Sequence, residues 1–174
     1  VIDQTRREAS SMLDSKRRSE LGQYLTPSPI ATFMASLFSY NSQAKLLDAG
    51  AGIGSLTSAF LDKALREGTA VTAETWEIDD MLCGYLRNTL DEYTQQGQGK
   101  IKARIHASDF IEDAVFSLQF GSGPHYTHAI LNPPYKKIST GSKHRKLLRM
   151  AGIETVNLYT AFVALAVLLM GKGG

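Results

Sequence analysis

The segment Asp48-Ala49-Gly50-Ala51-Gly52-Ile53-Gly54 constrains the fold most, because it places three glycines directly after a short apolar run. That run, residues 45–49, predicts a β-strand. Four apolar residues recur at helical spacing after the turn: Leu56, Phe60, Leu61 and Leu65. Glycines permit unusual backbone angles and let a ligand approach the main chain closely. The segment therefore predicts a strand, a glycine turn and a helix. The turn either binds a nucleoside ligand or is a purely structural loop.

The same alternation of strands and helices continues along the chain. Further strands are predicted at residues 70–78, 100–106 and 127–131. Helices are predicted at residues 3–21, 27–41, 55–65, 81–93 and 157–170. This order is typical of an α/β fold with a mostly parallel sheet, right-handed crossovers and helices on both faces.

Candidate functional residues follow each predicted strand. They are Asp48 to Gly54 after the first strand, Glu77 after the second, Asp109 after the third and Asn132 to Tyr135 after the fourth. Ligands of open parallel sheets bind at the carboxyl ends of the strands. We therefore expect these four segments to meet in one cleft.

The spacing of the glycines argues against NAD or FAD as the ligand. The dinucleotide fingerprint places its third glycine, or an alanine, three positions after the second, where this chain has Ser55. An acidic residue at the start of the turn instead favours a ligand with an ammonium group, because Coulomb attraction then replaces anion capture. The candidate residues of this segment are Asp48, Gly50, Ala51 and Gly52.

The next two segments supply acceptors for a ribose and a base. Glu77 lies about twenty residues beyond the turn, where a carboxylate accepts hydrogen bonds from ribose hydroxyls; Asp79 or Asp80 are the alternatives, with one of the three acting as a helix cap. Asp109 either accepts a hydrogen bond from an adenine amino group or caps the following turn. Phe110 or Ile78 would pack on the adenine ring.

Asn132-Pro133-Pro134-Tyr135 is the most specific short motif of the chain. The two prolines stiffen the backbone, so the Pro133 carbonyl and the Asn132 carboxamide oxygen can face one point as rigid acceptors. An exocyclic amino group fits that point. Tyr135 offers a planar face on which the target ring can stack. A stiff turn with an aromatic anchor is the structural alternative.

A basic segment follows this motif, although the formal net charge of the chain is only +2. Residues 136–149 contain seven basic or histidine side chains and no acidic one: Lys136, Lys137, Lys143, His144, Arg145, Lys146 and Arg149. The segment either contacts a phosphate backbone or is a solvated loop.

The single cysteine, Cys83, excludes an internal disulfide and a multi-thiol metal cluster, so no metal site is expected and the cytoplasm is the expected compartment. The longest apolar run, residues 161–170, is too short to cross a bilayer, so no membrane association is expected.

These motifs together resemble the adenine-N6 DNA methyltransferases of bacterial restriction-modification systems, from Gly22 to the end of the chain. Gly22-Gln23-Tyr24-Leu25-Thr26-Pro27 is similar to the family's N-terminal segment, which contacts the methionine end of the cofactor. The resemblance assigns Tyr24, Thr26 and Pro27 to that contact, the glycine turn to the cofactor loop and Asn132 to Tyr135 to catalysis.

The resemblance implies a Rossmann-like methyltransferase fold and methyl transfer from S-adenosylmethionine to N6 of an adenine flipped out of double-stranded DNA, with S-adenosylhomocysteine as product. It raises the expectation of DNA contact by Lys136, Lys137, Lys143, Arg145 and Lys146. A restriction endonuclease or a specificity partner would accompany the enzyme. The alternatives are methylation of a protein glutamine or RNA, and a non-catalytic subunit that binds cofactor or DNA.

The resemblance also implies a domain organisation. We expect a helical lead-in at residues 1–21 and the first part of a catalytic domain at residues 22–174, without further strands or a target-recognition domain. The fourth strand would then expose an edge. We expect this chain alone to bind cofactor weakly and not to methylate DNA at a useful rate.

Overall fold

The computed structural model describes residues 25–121 and 125–172. The helix predicted at residues 3–21 and the Gly22–Tyr24 part of the N-terminal segment lie outside these ranges. Within them, the strands are β1 (Gln43–Ala49), β2 (Ala70–Trp76), β3 (Ile101–His106) and β4 (His128–Ala129). The helices are α1 (Ser28–Ser36), α2 (Ser55–Glu67), α3 (Asp80–Gln96), α4 (Phe110–Phe120), α5 (Lys143–Met150) and α6 (Leu158–Leu169).

The four strands form one parallel sheet in the order β3-β2-β1-β4. Consecutive residues of β1 face opposite sides of this sheet, as strand geometry requires. Leu46 packs with Phe60 of α2 on one side, and Leu47 packs with Ile111 of α4 on the other. The predicted α/β architecture, with a parallel sheet and helices on both faces, is confirmed.

Two helices of the structure were not predicted. Helix α4 begins directly after Asp109, whose carboxylate caps it, and its buried residues Phe110, Ile111, Ala114 and Val115 follow a helical spacing that the sequence analysis did not use. Helix α5 begins after Ser142, which accepts a hydrogen bond from the Arg145 amide, and Leu148 is its buried residue. A single buried position gives no helical periodicity, so a polar segment of this kind resembles a loop in sequence.

Strand β4 is shorter than predicted and lies at the edge of the sheet. It pairs with β1 on one side, and just before it Tyr126 forms an isolated parallel bridge with Met170. Among residues 25–121 and 125–172, this isolated bridge is the pairing recorded on the side of β4 that faces away from β1. The predicted edge position of the fourth strand is therefore confirmed.

Two smaller expectations concern Cys83 and the membrane. The Cys83 side chain is buried and its thiol donates a hydrogen bond to the Glu77 carbonyl oxygen, with 3.4 Å between Sγ and O. Across the described part of the chain, none of the helices has the length and apolar character needed to traverse a bilayer.

Candidate active site

A cavity lies at the carboxyl ends of the strands, and all four predicted segments contribute to its wall. The contributing residues are Gly50 and Gly52 after β1, Glu77 and Ile78 after β2, Asp109 and Phe110 after β3, and Asn132 and Pro134 after β4. Parallel strands end at the same edge of a sheet, which is why segments far apart in sequence meet here. The expected convergence of these segments is present in the structure.

The glycine turn commits its backbone amides to protein acceptors. Gly50 and Ala51 donate to the Trp76 carbonyl oxygen at 2.9 and 2.8 Å, and Gly54 donates to the Ala51 carbonyl oxygen at 2.9 Å. The Gly52 amide donates to the Glu77 carboxylate at 2.9 Å. A pyrophosphate site instead points such amides at the ligand. The turn is therefore suited to a ligand without phosphate.

The Glu77 carboxylate joins the turn to the end of β2. Besides the Gly52 amide, it accepts hydrogen bonds from the Ile78 and Asp79 amides, each at 2.8 Å. Its side chain is buried, and burial raises the pKa of this carboxyl although three backbone donors oppose the shift. Glu77 is thus held rigidly in the cavity wall.

The two alternatives to Glu77 have other positions. The Asp79 carboxylate caps α3 by accepting hydrogen bonds from the Met81 and Leu82 amides at 3.0 and 3.1 Å. Asp80 is exposed at the first turn of that helix. Of the three acidic residues, Glu77 is the one that lines the cavity.

Asp109 caps α4, as one of its two predicted roles required, and it also lines the cavity. Its Oδ1 accepts hydrogen bonds from the Ile111 and Glu112 amides at 2.9 and 3.3 Å. Its Oδ2 lies 2.7 Å from Nε2 of His144 on α5. Burial acts to raise the pKa of Asp109, but the His144 contact and the two amides outweigh it and lower that pKa.

The remaining wall of the cavity is largely apolar. Ile78 is 57% exposed at its rim, whereas Phe110 is buried and packs edge-on against Trp76 with 5.5 Å between ring centroids. Phe162 of α6 packs on Phe110 with a centroid separation of 5.1 Å. This apolar wall lies beside the carboxylates of Glu77 and Asp109, a combination that suits a purine better than a charged phosphate.

Asn132 is oriented by the N-terminal segment. Its carboxamide nitrogen donates a hydrogen bond to the Thr26 hydroxyl, with 3.2 Å between Nδ2 and Oγ1. Pro134 lies against the glycine turn, since a β-carbon placed on Gly50 would stand 3.9 Å from its Cδ. Tyr135 is exposed and stacks on Tyr159 of α6 with ring centroids 5.3 Å apart.

Several predicted site residues do not line the cavity. Asp48 is fully buried and accepts a hydrogen bond from the Thr57 hydroxyl at 2.6 Å, because the strand directs it under the turn toward the start of α2. Ala51 and Pro133 are also buried beside the cavity, Pro27 precedes α1, and Tyr24 lies outside the described residues. Thr26 takes part through its contact with Asn132.

Asp48 is a buried carboxyl beneath the glycine turn. Among residues 25–121 and 125–172, its Oδ1 has no hydrogen-bond partner, and burial raises the pKa of this carboxyl to about 7. A positive group nearby would favour the ionised form. The carboxylates of the site are hydrogen-bond acceptors compatible with an amino-acid ammonium and a nucleoside, which are the two ends of S-adenosylmethionine.

The segment after the tetrapeptide forms an excursion from the cavity, and the two ends of this excursion are hydrogen-bonded to each other. The Ile138 amide donates to the Val156 carbonyl oxygen at 2.7 Å, and the Leu158 amide donates to the Lys136 carbonyl oxygen at 2.9 Å. Lys137 and Asn157 form an antiparallel bridge between these bonds. Residues 139–155, which include α5, therefore leave and return at one point beside the cavity.

The basic side chains of residues 136–149 differ in their exposure. Lys136, Lys137, Lys143 and Lys146 are exposed. Arg145 instead turns inward: its side chain is 12% exposed, forms an ion pair with Glu154 at 2.9 Å and donates to the Thr155 carbonyl oxygen. This placement gives Arg145 a structural role in the excursion.

Sequence reasoning missed His144 and Phe162 as wall residues. Phe162 follows the apolar pattern of a buried helix and carries no signal of a site. His144 lies among lysines and arginines, so nothing local distinguishes it from a solvated residue; its contact with Asp109 exists only because α5 packs on α4.

The fold and this cavity define the class of S-adenosylmethionine-dependent methyltransferase folds. A class I S-adenosylmethionine-dependent methyltransferase structure from Listeria monocytogenes matches 86% of this chain and 44% of its own, with a TM-score of 0.62 and 14% identity. A type I restriction-modification methyltransferase subunit from Streptococcus thermophilus matches 87% of this chain and 33% of its own, with a TM-score of 0.59 and 20% identity.

No protein-family model matches the chain. Over its whole length the chain is similar in sequence to two type II methyltransferases. It is 52% identical to M.BsuBI of Bacillus subtilis and 41% identical to M.PstI of Providencia stuartii. In each case it spans 36% of the length of the relative.

Proposed function

We propose that this chain is the cofactor-binding and catalytic part of a site-specific DNA methyltransferase, which transfers a methyl group from S-adenosylmethionine to N6 of a flipped-out adenine. One observation carries the proposal: Asn132 and Pro134 of the tetrapeptide line the same cavity as Glu77 and Asp109. The homology to type II methyltransferases supports DNA as the substrate class.

The bound cofactor supplies a methyl group activated by a sulfonium centre, and S-adenosylhomocysteine is its product. Glu77 accepts the ribose hydroxyls, and Asp109 accepts the adenine amino group of the cofactor. Ile78 and Phe110, which line the cavity, would pack on that adenine ring. An ammonium group bound above the turn would favour the ionised form of Asp48 and be attracted by it. The Thr26 hydroxyl orients Asn132.

The tetrapeptide prepares the target amino group. The lone pair of an exocyclic amino nitrogen is delocalised into the ring, so this nitrogen is a poor nucleophile. The Asn132 carboxamide oxygen and the Pro133 carbonyl oxygen accept its two N–H bonds and favour a pyramidal nitrogen whose lone pair is available. Tyr135 stacks on the flipped base, a contact worth about 1 to 3 kcal/mol.

The exposed lysines of the excursion contact the DNA backbone. Lys136 lines the cavity, and Lys137, Lys143 and Lys146 are exposed on the segment that follows it, where they would neutralise phosphates next to the flipped nucleotide. Arg145 is not included, because its guanidinium is paired with Glu154 inside the excursion. The partners proposed with double-stranded DNA are a restriction endonuclease or a specificity subunit.

A graft tests the proposal. This chain would replace the matched segment of M.BsuBI, and the chimera would be incubated with labelled S-adenosylmethionine and DNA, RNA or a glutamine-containing release-factor-like protein. We expect label in DNA, recovered as N6-methyladenine after digestion. Label in another base would correct the target atom, and label in RNA or protein would favour the alternative substrates.

The matched control is Asn132→Ala in the same chimera. Loss of transfer with retained cofactor binding is expected, because the substitution removes one acceptor of the amino group and leaves the cofactor contacts in place. Full transfer by this variant would instead indicate that the chain is a non-catalytic subunit.

A further inference from the structure

His144 stands at the point where the basic excursion touches the cavity. Its Nε2 lies 2.7 Å from Oδ2 of Asp109, and both side chains border the cavity. His144 is half-buried, so the contact is partly shielded from solvent. The same residue thus contacts an acceptor of the proposed cofactor site and belongs to the segment that comes after the catalytic motif.

The excursion holds His144 in place from several sides. Its two ends are tied together by the backbone bonds between residues 136–138 and 156–158. Ser142 caps α5, the helix that carries His144 in its first turn, and α5 packs on α4. Asp109 is itself fixed at the start of α4 by two backbone donors. The His144–Asp109 contact therefore joins two anchored helices.

We propose that His144 is a positioning residue of the cofactor site, which orients the Asp109 carboxylate toward the cofactor adenine and fastens α5 over that end of the cavity. This inference rests on the proposed function, because it assigns Asp109 to the adenine contact. It links the placement of α5 to the cofactor site.

The surrounding charges are consistent with a charged pair. Glu112 of α4 faces the same region and forms an ion pair with Lys143, the residue before His144. Lys136 borders the cavity from the other end of the excursion. The hydrogen bond to Asp109 raises the pKa of His144, although its burial opposes this. A raised histidine pKa means that the contribution of the pair is complete below about pH 6.5 and declines as pH rises through the folded value.

Nuclear magnetic resonance titration of the ligand-free chain tests the contact itself. We expect His144 to titrate above the ordinary histidine range and Asp109→Asn to return it toward that range. His125, which is exposed, serves as the internal reference. An ordinary His144 titration that is unchanged by Asp109→Asn would overturn the inference, whether or not the chain binds any cofactor.

Binding of S-adenosylhomocysteine to the chain, measured by calorimetry from about pH 5.5 to pH 9 so as to bracket the histidine range, tests the positioning role. His144→Leu removes the donor, and we expect binding to weaken roughly tenfold at low pH. His144→Gln keeps an amide donor that does not titrate. This variant should therefore bind S-adenosylhomocysteine with much of the parent's affinity, and its affinity should not decline as pH rises. His125→Gln is the matched control and should behave as the parent.

The outcomes distinguish failure of the proposed function from failure of the positioning role of His144. Absence of binding by the parent chain at any pH would count against the proposed function itself. Binding by the parent with equal affinity and equal pH dependence in His144→Leu and His125→Gln would overturn the positioning role alone. Thermal unfolding of each variant shows whether His144→Leu is folded, and His144→Gln carries the test if it is not.

Discussion

The Glu77 carboxylate accepts a hydrogen bond from the Gly52 amide across 25 residues of sequence, with 2.9 Å between Oε2 and N. The bond ties the turn after β1 to the end of β2 at the floor of the cavity. A residue proposed to bind the cofactor ribose therefore also fixes the shape of the cofactor loop. Substitutions at either residue should change stability and binding together.

Replacing Glu77 by Ala should lower the free energy of unfolding by about 2 to 4 kcal/mol, because the amides of Gly52, Ile78 and Asp79 lose a buried acceptor. Denaturant titration measures the loss, and S-adenosylhomocysteine binding should disappear with it. Asp80→Ala is the matched control, since Asp80 is acidic, close in sequence and exposed. Equal stability of the two variants would contradict the structural role of Glu77.

Gly52→Ala should cost more than Gly68→Ala, although both glycines have a positive φ. Gly52 has φ +60 and its added β-carbon would stand 2.9 Å from Leu25 Cδ2, whereas Gly68 has φ +75 and nothing within 4 Å. Gly68→Ala should therefore show only the backbone term, about 1 to 2 kcal/mol. Thermal unfolding of both variants gives the comparison. Equal losses of stability in the two variants would mean that the Leu25 side chain moves aside without a measurable free-energy cost.

Asp48→Asn should change the pH dependence of stability. Burial raises the pKa of Asp48 from 3.8 to about 7, so the folded state holds a proton that the unfolded state releases. The destabilisation grows from about pH 4 to pH 7 and then levels off. Asn remains neutral, so the variant should gain relative stability over this window, on the order of 4 kcal/mol at most. If the difference in free energy of unfolding between the two proteins does not change with pH, Asp48 stays ionised in the folded state.

Lys137→Glu and Lys146→Glu in the chimera should weaken DNA binding and flatten its salt dependence. Each lost phosphate contact reduces the slope of log affinity against log salt by about one. Lys102→Glu is the control, because Lys102 is exposed on β3, away from the excursion. Fluorescence anisotropy over a range of salt concentrations measures the slopes. A similar change in slope for Lys102→Glu would point to general electrostatics.

Tyr159→Ala should impair base flipping while leaving cofactor binding intact. Tyr135 stacks on Tyr159, and such aromatic pairs contribute about 0.5 to 1.5 kcal/mol. Tyr159→Phe keeps the stack. The fluorescence of 2-aminopurine at the target position reports flipping in the chimera. Phe116→Ala, which disrupts the exposed Phe116–Phe120 stack on α4, controls for loss of an aromatic pair elsewhere. Unimpaired flipping by Tyr159→Ala would exclude a role for the stack.

The sequence by itself determined the sheet and the place of the site. The apolar run before Gly50, the acidic residue after the second strand and Asn132 to Tyr135 after the fourth are local patterns, and parallel strands bring their ends together whatever the rest of the chain does. Residues at those strand ends could therefore be predicted without coordinates.

Only the tertiary structure decided which side chains of each segment reach the cavity. Strand direction places Asp48 beneath the turn and Glu77 in the wall, although both are acidic residues near strand ends. His144 and Arg145 are neighbours in one basic run, yet one contacts Asp109 and the other pairs with Glu154. The His144 contact arises from how α5 packs on α4, a contact between segments distant in sequence that no local periodicity encodes.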